Sequence, residues 1–148
     1  MASPTPSRIV RPQVTFGYEI FPEKRAIAMR YAGTCTLAQL AATLRLLWAD
    51  PRYSREFIGV VDLTQGTVGF GIDELRKLIT FLRASEQTSR GRWAAVTTSP
   101  VATAIVMIYR QAMLRQHTFE VFSSWEAACD FVGIEMTRDV PERAVPEI

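Results

Sequence analysis

Residues 56–75 read EFIGVVDLTQGTVGFGIDEL, and the way this stretch divides decides the fold. Phe57, Ile58, Val60 and Val61 are apolar without polar alternation, the pattern of a strand covered on both faces of a mostly parallel sheet. Asp62 stands at the carboxyl end of that strand, followed by Thr64 and by a loop holding Gly66, Gly69 and Gly71. Ile72, Leu75, Leu78, Ile79 and Leu82 then repeat at helical spacing, with Asp73 and Glu74 in the first turn, where they suit the helix dipole. Strand, acid, glycine loop and helix describe the carboxyl edge of an open α/β sheet, the edge at which such sheets bind ligands and partners.

Towards the N-terminus, Val14, Phe16, Tyr18 and Ile20 keep the period of two expected of a half-buried strand. After a turn at Pro22-Glu23-Lys24, a second alternating run from Ala26 to Ala32 predicts the other arm of an antiparallel hairpin. Gly33 ends that arm. Thr36 with Gln39 has capping-box spacing, and the helix it starts carries Leu37, Leu40, Leu44 and Leu47 until Asp50-Pro51 stops it. Towards the C-terminus, Trp93 to Val96 predict a short strand, and Ser99-Pro100 starts a helix over about 101–116. Phe119, Val121 and Phe122 form a last strand. Ser123 with Glu126 predicts a second capping box, and Gly133 a helix C-cap.

The predicted order is β-β-α-β-α-β-α-β-α, an α/β fold whose mixed, mainly parallel sheet has about five strands and four helices. Right-handed crossovers make the later strands parallel. The expected organisation is a flexible N-terminal tail at 1–12, one domain at 13–134, and a tail or strap at 135–148.

At 148 residues, 48% hydrophobic and 22% charged, the chain has the size and composition of one globular domain with its own core. A net charge of +2, with lysine and arginine spread along the chain, gives no footprint for nucleic acid or an anionic membrane surface. The start lacks an apolar run of signal-peptide length, so a cytoplasmic protein is expected. The most apolar stretch, 101–109, is about half the length that spans a bilayer. Cys35 and Cys129 are read as free, buried, non-catalytic thiols, Cys35 being the exception to watch because it precedes a helix start.

With FIGVVDLT, AIVMIYRQAM and FEVFSSWEAACDFVG in place behind the opening hairpin, the chain resembles the STAS superfamily over residues 15–134. The likeness is to its SpoIIAA-like branch of small bacterial proteins, a branch also grouped with lipid-transfer CRAL-TRIO domains. The resemblance implies a non-enzymatic regulatory or binding module that recognises a protein partner or a small amphiphile such as a lipid. STAS proteins that antagonise anti-sigma factors carry a phosphorylatable serine at the start of the second helix. Here that position is occupied by Gly69 to Glu74 with no hydroxyl, and the nearest are Thr64 and Thr67, so the switch does not carry over.

The candidate binding residues are Asp62, Thr64, Gly69, Phe70, Gly71, Ser99, Met107, Tyr109 and Arg110. Phe70 sits among glycines with no apolar stripe to join, so it reads as an aromatic anchor for a partner or as a lid folded onto the core. The glycine loop has neither a lysine nor the spacing of a phosphate or dinucleotide loop, and plain turn geometry explains it. Asp62 reads foremost as a brace for the loop. Ser99 and the other junction hydroxyls double as helix caps. Tyr109 and Arg110 either line a cleft or pack and snorkel.

Met107, Ile108 and Met113 give the third helix more apolar surface than one face can bury. That predicts a pocket against the second helix or a homodimer interface. His117, the only histidine, reads as a helix-end cation or a solvated side chain. No metal site or cofactor is expected. The alternative function is a nucleotide-handling or hydrolytic enzyme with its site at the carboxyl ends of the strands, but no acid, base and nucleophile set converges in the sequence.

Overall fold

The structure, a computed structural model, describes residues 14–144, so the expected tail at 1–12 lies outside the described residues. It opens with a hairpin in which β1 (Thr15–Phe21) and β2 (Ala26–Cys35) pair antiparallel, with Phe16 opposite Tyr31 and Tyr18 opposite Met29. A 3-10 turn at Pro22–Lys24 joins them and closes on Arg25 in the left-handed region at φ 54°. Then come α1 (Leu37–Ala49), β3 (Ile58–Val68), α2 (Ile72–Ala84), β4 (Trp93–Val96), α3 (Pro100–Ala112), β5 (Phe119–Phe122) and α4 (Trp125–Val132), in the expected order. A short β6 (Glu142–Ala144) adds to β1, giving one sheet in the order β5-β4-β3-β2-β1-β6. Strands β2 to β5 are mutually parallel and β1 is antiparallel to both neighbours. The sheet is the mixed, mainly parallel one expected, with six strands where about five were read.

Helix starts follow the local chemistry. Thr36 Oγ1 accepts from the Gln39 backbone N–H at 3.2 Å while Gln39 Oε1 accepts from the Thr36 N–H at 2.9 Å, completing the capping box. Ser99 Oγ accepts from the Ala102 N–H at 3.3 Å. One cap is shifted: Ser124, not Ser123, accepts from the Ala127 N–H at 3.1 Å, so the predicted box with Glu126 does not form. Gly133 ends α4 at φ 82°, a conformation that glycine adopts without penalty.

The larger correction concerns Thr64 to Val68, read as part of a mobile glycine loop. These residues continue β3, with Gln65, Gly66, Thr67 and Val68 opposite Ala32, Gly33, Thr34 and Cys35 after a register shift between Arg30 and Ala32. Backbone hydrogen bonding to the long β2 makes them a strand whatever their side chains. Only Gly69–Gly71 remains as connection. A Cβ at Gly69 would lie 2.8 Å from Thr34 Cγ2, so this glycine serves close approach rather than mobility.

Strand alternation sorts the core onto two faces. Phe16, Tyr18, Ile20, Ile27, Met29, Tyr31, Val61, Trp93 and Ala95 point to the side covered by α1, with α2 and α3 completing the layer. Ala26, Ala28, Val60, Ala94 and Val96 point to the other side, under α4. The residues read as a C-terminal tail or strap cross this second face as a strap. Met136 and Val140 are buried on it. Trp125 Nε1 donates to the Met136 carbonyl at 2.9 Å, and Arg143 stacks over the Tyr18 ring at 4.4 Å. The strap runs so close to β1 that a Cβ on Gly17 would lie 2.3 Å from the Pro141 carbonyl oxygen.

Candidate functional site

On the first face the helices do not sit evenly on the sheet. The buried stripe of α2, Leu75, Leu78, Ile79 and Leu82, packs against α1 and α3 residues such as Leu40, Leu44 and Ile105 rather than into the strands. Beneath it lies a cavity of about 200 Å³. Its floor is sheet: Met29 and Tyr31 of β2, Val61 and Leu63 of β3, and Phe119 of β5. Its walls are Leu40 and Leu44 of α1 and Ala102, Ile105, Val106 and Tyr109 of α3. At the carboxyl edge Gly66, Thr67 and Val68 of β3 meet Phe70, and the exposed Thr67 marks where this lining reaches the surface. The cavity follows from local choices: Ala102 in the helix is small, while the large side chains around it hold the layers apart.

Every ionisable group in this lining is held neutral at pH 7. Burial pushes the Cys35 thiol up to about 11. Burial raises both Tyr31 and Tyr109 above the ordinary tyrosine value. The Tyr31 hydroxyl is hydrogen-bonded to Thr43 Oγ1, which also donates to the Leu40 carbonyl at 2.8 Å. The Tyr109 hydroxyl lies 2.9 Å from His117 Nε2, and its ring meets Phe119 edge-on at 5.0 Å. Among the described residues, no carboxylate, lysine or arginine lines the cavity. Such a wall solvates apolar matter, and it holds its one thiol protonated rather than as the nucleophilic thiolate.

Sequence-selected residues distribute as follows. Phe70 and Tyr109 line the cavity, and Phe70 is half-buried against α2 and α3. Gly69 and Gly71 flank Phe70, with Gly71 at the N-cap of α2. Asp62 and Thr64 are on the opposite face. Asp62 is 2% exposed; its Oδ1 accepts from the Thr64 N–H at 2.9 Å and hydroxyl at 2.7 Å, and its Oδ2 accepts from Arg138 Nε of the strap at 2.6 Å. Burial pushes the Asp62 pKa up, but the hydrogen bonds from Arg138 and Thr64 outweigh it and hold the carboxylate below its usual value. Ser99 is occupied as the α3 cap. Arg110 turns away from the cavity and grips Glu120 of β5 at 2.8 Å.

Met113 is fully buried in the α2–α3 cluster, whereas Met107 and Ile108 stand 43% and 38% exposed on the outer face of α3, away from the lining of this cavity. The pocket against α2 exists, but the inner face of α3 makes it. His117 is also unlike its reading as a solvated cation. It is buried, and burial lowers its pKa, with the Gly91 backbone pulling the other way, so the ring is neutral at pH 7. Its Nδ1 completes no hydrogen bond of good geometry. Cys129 is buried too, and burial raises its thiol pKa. Among the described residues there is no cluster of three or more His, Cys, Asp or Glu able to hold a metal, and no helix is long and apolar enough to cross a membrane.

Sequence reasoning missed the arginine that binds Asp62, because Arg138 lies 76 residues away in a segment read as tail or strap. The available signal was a strand-end acid that has to find donors or solvent.

No family model and no curated protein matches the chain. A solved structure does: an uncharacterised protein of the DUF3478 family with a SpoIIAA-like fold, from Shewanella loihica PV-4, aligns over 89% of this chain and 98% of its own length. The TM-score is 0.53 at 15% sequence identity, a likeness of fold. The chain therefore has a SpoIIAA-like fold, as its order of elements implied.

Proposed function

We propose that this domain is a non-enzymatic binding module whose ligand is a small amphiphile, the apolar part of which occupies the cavity under α2. The observation that carries the reading is that cavity: about 200 Å³, walled by apolar side chains, with its three ionisable groups neutral at pH 7. Apolar cavities of about 150 Å³ already take a benzene-sized guest, while drug-sized ligands fill roughly 300–1,000 Å³. The guest is thus a short acyl chain or a small ring, and anything longer requires α2 to lift. The enzyme alternative is weaker because the strand-end acid, Asp62, is committed to Arg138 and Thr64. Two free buried thiols suit a reducing, cytoplasmic setting.

A protein partner is a second reading, supported by one observation. The outer face of α3 exposes Val101, Met107 and Ile108, and Leu114 follows just past its end, more apolar surface than a solvated helix needs.

The test is titration with 1-aminonaphthalene, a neutral two-ring fluorophore, and with fatty acids of increasing chain length, on wild type and on Ala102→Leu. Leucine at 102 projects into the cavity, so binding should weaken about tenfold or more while the melting temperature holds. Leu78→Ala, which enlarges the cavity, should shift the preferred acyl chain upward in length. Saturable binding that is untouched by both substitutions would place the guest elsewhere and end this reading.

A further inference from the structure

Arginines far apart in the chain meet at the opposite, amino-terminal edge of the sheet. Arg55, Arg83, Arg90 and Arg115, with Ser85 and Ser89, line a polar cleft of about 430 Å³ between the end of α2 and the turn after α3. Among the described residues Glu86 is the only acid in that lining, and Glu56 beside it pairs with Arg55 Nε at 3.7 Å, so two positive charges are in excess, as many as the net +2 of the whole chain.

Two of the arginines are pinned as parts of the frame. Arg83 donates to the carbonyl of Ala112, the last residue of α3, and Arg55 Nη1 donates to the Glu86 carbonyl at 2.8 Å. Each uses one of five guanidinium N–H donors in this way and keeps others for the cleft. Capping of a helix carbonyl accounts for Arg83, and bracing of the turn after α2 accounts for Arg55. Neither accounts for Arg90 and Arg115, whose side chains make no hydrogen bond or ion pair among the described residues. Four guanidiniums gathered at one site repel one another unless an anion neutralises them. The Ser85 hydroxyl, which accepts from the Gln87 N–H at 3.2 Å, retains its own proton to donate.

We infer that this cleft is an oxyanion site for a phosphoryl group. Forked guanidinium donors match the paired oxygens of phosphate, a dianion matches an excess of two charges better than a carboxylate does, and the cleft has room for the group that carries the phosphate. Arg83 and Arg55 frame the site, and Arg90 and Arg115 close on the anion. The inference stands on the cleft alone and does not require the cavity to bind anything. The phosphoryl group is either that of a soluble molecule or the head of an amphiphile whose chain stays outside the cavity, which opens at the other edge of the sheet.

The experiment is isothermal titration calorimetry at fixed ionic strength with inorganic phosphate and with dodecyl phosphate. The variants are the double substitution Arg90→Gln/Arg115→Gln and a control pair, Arg76→Gln/Lys77→Gln, which removes the same charge from the exposed face of α2. Wild type should bind phosphate saturably, the cleft pair should lose about tenfold or more, and the control should bind as wild type does. Dodecyl phosphate binding tighter than phosphate identifies an amphiphile head; equal affinities identify a soluble phosphate ester. Absence of saturable phosphate binding in wild type, or an equal loss in the control pair, overturns the inference.

Discussion

The two faces of the sheet are packed by opposite rules. Under α4 the sheet offers alanine and valine: Ala28, Val60, Ala94 and Val96 are all fully buried, and the helix and strap come down onto them. Under α1, α2 and α3 it offers tyrosine, methionine, phenylalanine and tryptophan, and the helical layer is held off, most of all at α2. Small side chains let backbone approach backbone and leave no void, whereas large ones meeting small partners such as Ala102 leave one. One face is therefore finished by the fold, and the other keeps space that a ligand can use.

The largest expected effect tests this contrast directly with the same substitution on each face. Ala94→Leu forces three extra carbons into the filled side and should cost about 3 kcal/mol in urea denaturation. Ala102→Leu places the same carbons beside the cavity and should stay within about 1 kcal/mol of wild type. Equal losses would mean that the two faces are packed alike and that the cavity is not usable space.

A smaller effect probes how the finished face is sealed. Arg138→Ala removes one donor from a buried carboxylate while the two Thr64 bonds remain, and should cost about 2 kcal/mol at neutral pH. The sign of its pH dependence follows from Asp62. The folded-state pKa is depressed, so the pair stabilises the fold above the ordinary carboxylate value of about 3.9 and ceases to as the pH falls through the lower folded value. The gap between wild type and Arg138→Ala should accordingly close in acid. A gap that persists unchanged to about pH 2 would show that Arg138 acts through packing and not through the Asp62 charge.

Legibility in the sequence divides along the same lines. Features written in neighbouring residues were readable: the alternation of β1 and β2, the Thr36–Gln39 box, the Ser99-Pro100 start and the Gly133 cap. Features created by distant pairing were not. The polar, glycine-rich end of β3 is a strand because β2 supplies backbone partners, Arg138 meets Asp62 across 76 residues, and the cleft gathers arginines scattered from position 55 to 115. Local sequence likewise could not tell whether the excess apolar surface of α3 faced in or out. Met113 went to the core while Met107 and Ile108 stayed at the surface, because the rotation of α3 is set by what the sheet and α2 present to it.

The smallest effect concerns the mouth of the open face. Phe70 was read as either an anchor for a partner or a lid, and it is half-buried, packed with the α2–α3 cluster and lining the cavity where exposed Thr67 reaches the surface. A fully buried phenylalanine costs about 3–5 kcal/mol on truncation to alanine. Phe70 leaves part of its ring in water and part against a cavity with few atoms to touch, so Phe70→Ala should cost only about 1 kcal/mol. Its stronger signature should be kinetic: with the ring gone, 1-aminonaphthalene should enter and leave several-fold faster at nearly the same affinity, since a lid slows both directions equally. Stopped-flow fluorescence measures this. Unchanged rates with a stability loss of about 3 kcal/mol or more would make Phe70 a core residue and put the entrance elsewhere.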